Sequence, residues 1–451
     1  MKRVQNAFFT LLLLSALGSC KKEEVLNVQQ PVGLGGEVTS STAIDKWIMD
    51  SLTKPYNISA KYRWDPFNVS LYKTLTPADE SRVIPLFSAL KKVWINPYND
   101  ETGSEMFIKK YSPKQFVLVG SVEYDYYSVT LGQAEGGNNI VFFDVNQNYD
   151  KNPVTSIKRV IHTAHHEFAH ILHQTVMYPQ DFKGTSSKLG FPGYTATWFN
   201  ISDAKAFSEG YATAYSMSGP DEDFVEMIAT MLTEGKPKWD EMKAATNATA
   251  RQALQQKEDY VVTYYRQVWN IDFYSLQRRV QTALNALYPP PAVLDVYGFG
   301  KIYTRASVSP VLTTLLPQPA AFTTMFNNAR TAVAAVPLYN LLMDSMAVIT
   351  NAATTSIVRL YLHQGNVTTV FNADFTYSVT KDATDLFTYT YVATNGNGGL
   401  IKTAVTPLLN YFASSKFSIT WYADPSVTAT PRVKFTPQAN PGTYFLARLL
   451  P

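Results

Sequence analysis

The sequence predicts an α+β fold in two parts, a region of mixed helices and short strands followed by a β-rich C-terminal domain. Three observations predict it. One capped apolar segment over 153–177 has helical spacing, and two short apolar runs next to glycines read as strands. Beyond Pro289-Pro290-Pro291 the text changes, and after about Val367 it alternates aromatic and polar residues with period two. With 46% hydrophobic and 17% charged residues among 451, the chain can build a core in each of two or three domains. The same figures exclude a disordered or collagen-like chain.

The N-terminus reads as an address. Lys2 and Arg3 precede an apolar run from Ala7 to Leu17, too short to span a hydrocarbon core of roughly 30 Å as a helix. Residues 1–19 therefore read as a signal peptide. The run ends Leu17-Gly18-Ser19-Cys20, which resembles the lipobox of bacterial lipoproteins and implies lipidation of Cys20. Lys21-Lys22-Glu23-Glu24 is similar to short surface-export signals of some Gram-negative lipoproteins. Residues 20–40, polar and carrying Gly33, Gly35 and Gly36, suit a flexible tether.

Residues 41–288 form the mixed region. Phe116–Val119 and Ile140–Phe143 are the strand candidates. Asn152-Pro153 supplies a cap and a proline at the first helical position, and Pro179 closes the segment. Gly219-Pro220 starts another helix, and Arg251 to Leu287 reads helical again. The three prolines at 289–291 cannot continue a helix and set the boundary. In 292–451, whose role the sequence leaves unassigned, 306–353 is Ala-rich and reads as short helices. Phe387-Thr-Tyr389-Thr-Tyr391 and Phe417-Ser-Ile419-Thr-Trp421 read as half-buried strands. Their aromatic faces read as core rather than as a sugar-stacking row.

Charge and cysteine narrow the function. A net charge of +3 is too balanced for a nucleic-acid footprint, and one cysteine excludes disulfide staples and cysteine zinc clusters. Five of the six histidines fall between positions 162 and 173. Within that run, His166-Glu167-x-x-His170 matches the H-E-x-x-H pattern. Residues four apart on a helix share a face, so both imidazoles reach one zinc ion. Glu167 is placed to take a proton from a metal-activated water without binding the metal. The pattern of a further glycine and histidine downstream is missing, with His173 and Val176 in those places. His162 and His173 read as neighbours or core residues rather than direct ligands.

A third ligand must come from elsewhere. Asp221-Glu222-Asp223 and Glu226 open the helix after Gly219-Pro220. From position alone these acids equally well complement the helix dipole. Here a resemblance helps: Glu222-x-x-x-Glu226 resembles the gluzincin arrangement, which implies Glu222 as ligand and Glu226 as the acid orienting a ligand histidine. Tyr215 matches the position of the tyrosine in the lethal-factor type, implying an oxyanion donor, with helix packing as the alternative. Glu209 and Glu226 stay open as third ligands.

A wider series carries a family resemblance: Tyr62-Arg63-Trp64, Trp94-Ile-Asn-Pro97-Tyr98, Phe116–Gly120, Leu131-Gly132, the histidine run and Glu222–Glu226. It resembles zinc metallohydrolase lipoproteins associated with SusC/SusD-like nutrient import systems of the outer membrane, over roughly 40–285. The resemblance implies a zincin-like catalytic domain, one Zn²⁺, a peptide or protein substrate, a SusC/SusD-like importer as partner and attachment by lipid anchor only. It also implies a strand near Ile140–Phe143 as the cleft rim where an extended substrate adds. The competing readings are a non-catalytic envelope lipoprotein with a structural metal site that binds glycan, peptide or an importer, and a hydrolase of non-peptide amides.

Overall fold

The computed structural model describes residues 42–70, 72–124, 129–130, 132–135, 139–146, 153–309, 318–337, 339–365, 367–423 and 430–451. The segments expected to be a signal peptide and a flexible tether, with Cys20 between them, lie outside the described residues. The chain divides into two compact units, Met1–Asp45 and Lys46–Pro451, and everything below belongs to the second. No helix among the described residues is long and apolar enough to cross a membrane.

A four-stranded sheet backs the helices. Strands β1 (Ser59–Lys61) and β2 (Gln115–Leu118) run parallel, as do β2 and β6 (Asn139–Phe142), while β5 (Gly132–Glu135) is antiparallel to β6. A separate two-stranded antiparallel sheet pairs β3 (Glu123–Tyr124) with β4 (Val129–Thr130). The two apolar runs are strands, as expected, but β6 is not the rim. It is paired on both sides, so its backbone groups are spent, and the edge beside it is β5.

The histidine helix, Pro153–Thr175, follows β6. Its buried stripe is Ile157, Ile161, Ala164, Phe168 and Leu172, at helical spacing. Phe168 meets Trp94 and Tyr98 edge-on at 5.4 and 5.1 Å, and Trp94 meets Phe116 of β2 at 6.0 Å. The helix Pro220–Ala245 crosses it, capped by Gly219 and kinked where Gly235 takes φ 77°. Gln277 and Gln281 donate to the carbonyls of Met231, Leu232 and Thr233 just before the kink, so the break leaves these groups satisfied. The segment from Arg251 to Leu287 is helical as expected, in two helices, Ala248–Trp269 and Phe273–Leu287. Asn270 in the left-handed region and Asp272 capping Ser275 N make the break.

Past the prolines stands a closed antiparallel barrel. Its strands are β7 (Arg305–Val308), β8 (Leu341–Ala352), β9 (Thr355–Gln364), β10 (Phe371–Lys381), β11 (Phe387–Thr394), β12 (Lys416–Ala423), β13 (Arg432–Pro437) and β14 (Phe445–Leu450). Closure removes the exposed edges an open sheet would carry. The expectation of short helices over 306–353 fails at both ends, where β7 and β8 stand; among the described residues between them, Ala320–Ala334 is helical. Register shifts at Met343/Ser345 and Thr350/Ala352 break the period-two signal of β8. The aromatic rows of β11 and β12 line the core as expected, with Tyr389 and Phe417 buried and 5.8 Å apart.

Candidate metal centre

Opposite its apolar stripe, the histidine helix presents His162, His166, His170 and His173, each three or four residues from the next. The first turn of the Gly219-capped helix faces them. His166 Nε2, His170 Nε2 and Glu222 Oε2 lie 3.2 Å apart in every pairing. Ligands about 2.0 Å from a tetrahedral zinc stand about 3.3 Å from one another, so the three atoms have the spacing of three ligands and leave a fourth direction open.

The chemistry of the donors fits as well. His166 Nδ1 lies 2.7 Å from Glu226 Oε1, and His170 Nδ1 lies 3.0 Å from His173 Nε2. With protons on both Nδ1 atoms, the two Nε2 lone pairs and a carboxylate oxygen converge on one point, which a cation satisfies. Protons feel the same pull. Burial works to lower the His166 pKa, but its hydrogen bonds to Glu222 and Glu226 outweigh that and carry it up to about 10. Burial works to raise Glu222, and its contacts with His166 and His170 bring it down to about 2.

A second trio, His162, His166 and Glu226, also gathers potential ligand atoms. Its contacts with the single oxygen Oε1 are 2.8 and 2.7 Å, which are hydrogen-bond lengths and too short for neighbouring zinc ligands. Glu226 therefore stands behind the centre. Its other oxygen accepts from Thr213 Oγ1 at 2.6 Å. His173 is buried, and desolvation pushes it down to about 4, so it is a neutral acceptor for His170.

Glu167 is buried, and no hydrogen-bond partner occupies it among the described residues. Desolvation raises its pKa against the pull of His166 and His170. A carboxylate so placed keeps its lone pairs for a water or substrate proton. Tyr215, 38% exposed, stacks on His166 with centroids 5.8 Å apart, and Trp198 meets its ring edge-on at 4.9 Å. Burial first, and then the charge of Glu222, raise the Tyr215 pKa, so its hydroxyl is a donor at neutral pH. Glu209, held open as a ligand, instead pairs with Lys205 at 2.6 Å and joins neither trio.

Sequence reasoning missed Thr213 and Trp198. Neither carries a local signal, since one threonine or tryptophan in a loop looks like any other. Their partners are set by how the 211–218 segment folds over the histidine helix.

No curated protein matches the chain. A solved structure from Bacteroides caccae, described as a putative zinc-binding metallo-peptidase, is 30% identical. The match covers 54% of this chain and 92% of that one, with a TM-score of 0.47. The family described as "Putative zinc-binding metallo-peptidase" matches residues 37–274, more than half of the chain and the whole of the histidine cluster with its facing helix, and the protein belongs to that family.

Proposed function

We propose that the protein is a zinc-dependent metallopeptidase of gluzincin type, tethered to the cell envelope through Cys20. The observation that carries this reading is the 3.2 Å triangle of His166, His170 and Glu222. These three would hold one zinc ion, which when bound polarises a carbonyl and acidifies water. The chain's own groups do the rest. Glu167 accepts the proton released by the attacking water and returns it to the leaving amine. Tyr215 donates to the developing oxyanion. Glu226 fixes the tautomer and orientation of His166, and His173 those of His170. The edge strand β5 offers backbone groups to an extended substrate. A lipid anchor suits a nutrient-import partner at the outer membrane, and the lipobox-like sequence supports that placement.

The test is zinc stoichiometry by elemental analysis on protein beginning after Cys20, beside His170→Ala and Glu222→Ala. About one zinc in the parent, weakened or lost in both variants, supports the centre, and a peptide-library digest then tests cleavage. No zinc in the folded parent after metal is offered would overturn the reading.

A further inference from the structure

One buried charge pair close to the centre is used by none of the chemistry above. Asp223 follows Glu222 in the first turn of its helix and is 0% exposed; Lys257, on the helix Ala248–Trp269, is likewise 0% exposed. Nζ of Lys257 lies 2.6 Å from Asp223 Oδ2. The same ammonium donates to the carbonyl of Gly210 at 2.7 Å and sits 4.0 Å over the ring of Tyr211. Tyr194 donates to Asp223 Oδ2 at 3.1 Å, and Ser186 Oγ donates to the Gly210 carbonyl at 3.0 Å.

These contacts converge on the parts that complete the metal centre. Asp223 holds the turn that carries Glu222. Gly210 and Tyr211 begin the segment that carries Thr213, the partner of Glu226, and Tyr215, which stacks on His166. Lys257 is bonded to both. Burying such a pair is a poor route to stability, because desolvation of both charges offsets most of their attraction, and well-packed apolar residues commonly do as well. What an ion pair supplies and an apolar pair lacks is a fixed register between the elements it joins.

We propose that Lys257 and Asp223 are positioning residues for the metal centre: the pair sets Glu222 and the 210–215 segment at the height where they meet His166 and His170. It touches neither substrate nor metal and acts through Glu222. The inference rests on the proposed zinc site for its consequence, but its geometry can be tested without metal.

The test replaces the pair by an apolar one of similar volume, Asp223→Leu with Lys257→Met, in the soluble protein. Three quantities are read: the melting temperature of the zinc-free protein, the zinc dissociation constant by competition with a chelator, and the crystal structure of the zinc-free variant. The expected result is a melting temperature near the parent's, zinc binding weaker by about 10–100-fold, and a Glu222 carboxylate withdrawn from the two histidines. A Glu222 carboxylate that keeps its contact with both imidazoles, with parent-like zinc affinity, would overturn the proposal and leave the pair a packing feature. If the double variant fails to fold, Asp223→Asn with Lys257→Gln, which keeps hydrogen bonding without charge, carries the same three readings. A parent that binds no zinc would sink the metal-site reading, and the crystallographic position of Glu222 would still decide the role of the pair.

Discussion

Glu226 Oε1 accepts from Nδ1 of His166 at 2.7 Å, leaving the other imidazole nitrogen, Nε2, facing His170 and Glu222. The carboxylate thus selects which nitrogen of His166 is available to a metal. It does so from a buried position, stabilised by His162 on the same oxygen and Thr213 on the other. Burial acts to raise its pKa, yet the histidine contacts hold it well below the usual carboxylate range.

Glu226→Gln is expected to weaken zinc binding by about 10–100-fold, because the amide gives His166 a weaker acceptor. Isothermal titration with zinc checks this. A smaller change than that of Glu222→Ala distinguishes an orienting group from a ligand.

Glu167→Gln should retain zinc and lose turnover by about 10²–10⁴-fold, the range for removing a general base. Side-by-side elemental analysis and peptide hydrolysis read both quantities. Loss of zinc together with activity would instead place Glu167 among the ligands.

Tyr215→Phe keeps the ring that stacks on His166 and Trp198 and removes only the hydroxyl. Turnover should fall on the order of 10²-fold, the low end for one oxyanion donor, with KM and zinc affinity unchanged. Unchanged turnover would make Tyr215 a packing residue.

Acid should destabilise the fold through His165. It is 0% exposed, neither ring nitrogen has a hydrogen-bond partner among the described residues, and burial pushes its pKa down to about 3. The unfolded chain protonates this histidine below about pH 6.5 while the native state does not. The contribution of His165 is therefore undiminished above pH 6.5 and falls by about 1.4 kcal/mol per unit of acidification from there towards pH 3. Urea denaturation between pH 7 and 4.5 should show a shallower slope in His165→Leu than in the parent.

Gly210→Ala should destabilise by about 1–3 kcal/mol. Gly210 has φ 81°, and an added Cβ would lie 2.6 Å from that of Ala253 and 3.1 Å from Ser186 Oγ. Thermal unfolding checks it.

The two histidines and Glu167 were legible because helical geometry is local: four residues make one turn whatever surrounds it. The same locality made β2, β6, the Gly219-capped helix and the rows of β11 and β12 readable. Local reading failed where the signal was interrupted, as by the bulges of β8, and it left the break at Asn270–Asp272 unmarked. It also could not see sheet order, which decides that β5 rather than β6 is the edge, because pairing depends on partners distant in the chain.

The centre itself divides the same way. Periodicity and the chemistry of imidazole and carboxylate place His166, Glu167 and His170 on one helix without reference to the rest of the chain. Glu222 stands 52 residues from His170, and acids in a first helical turn serve a helix dipole equally well. Only the packing of the two helices brings its oxygen within 3.2 Å of both imidazoles. A contact across so many residues is written in the burial of everything around it, and no spacing in the sequence encodes it.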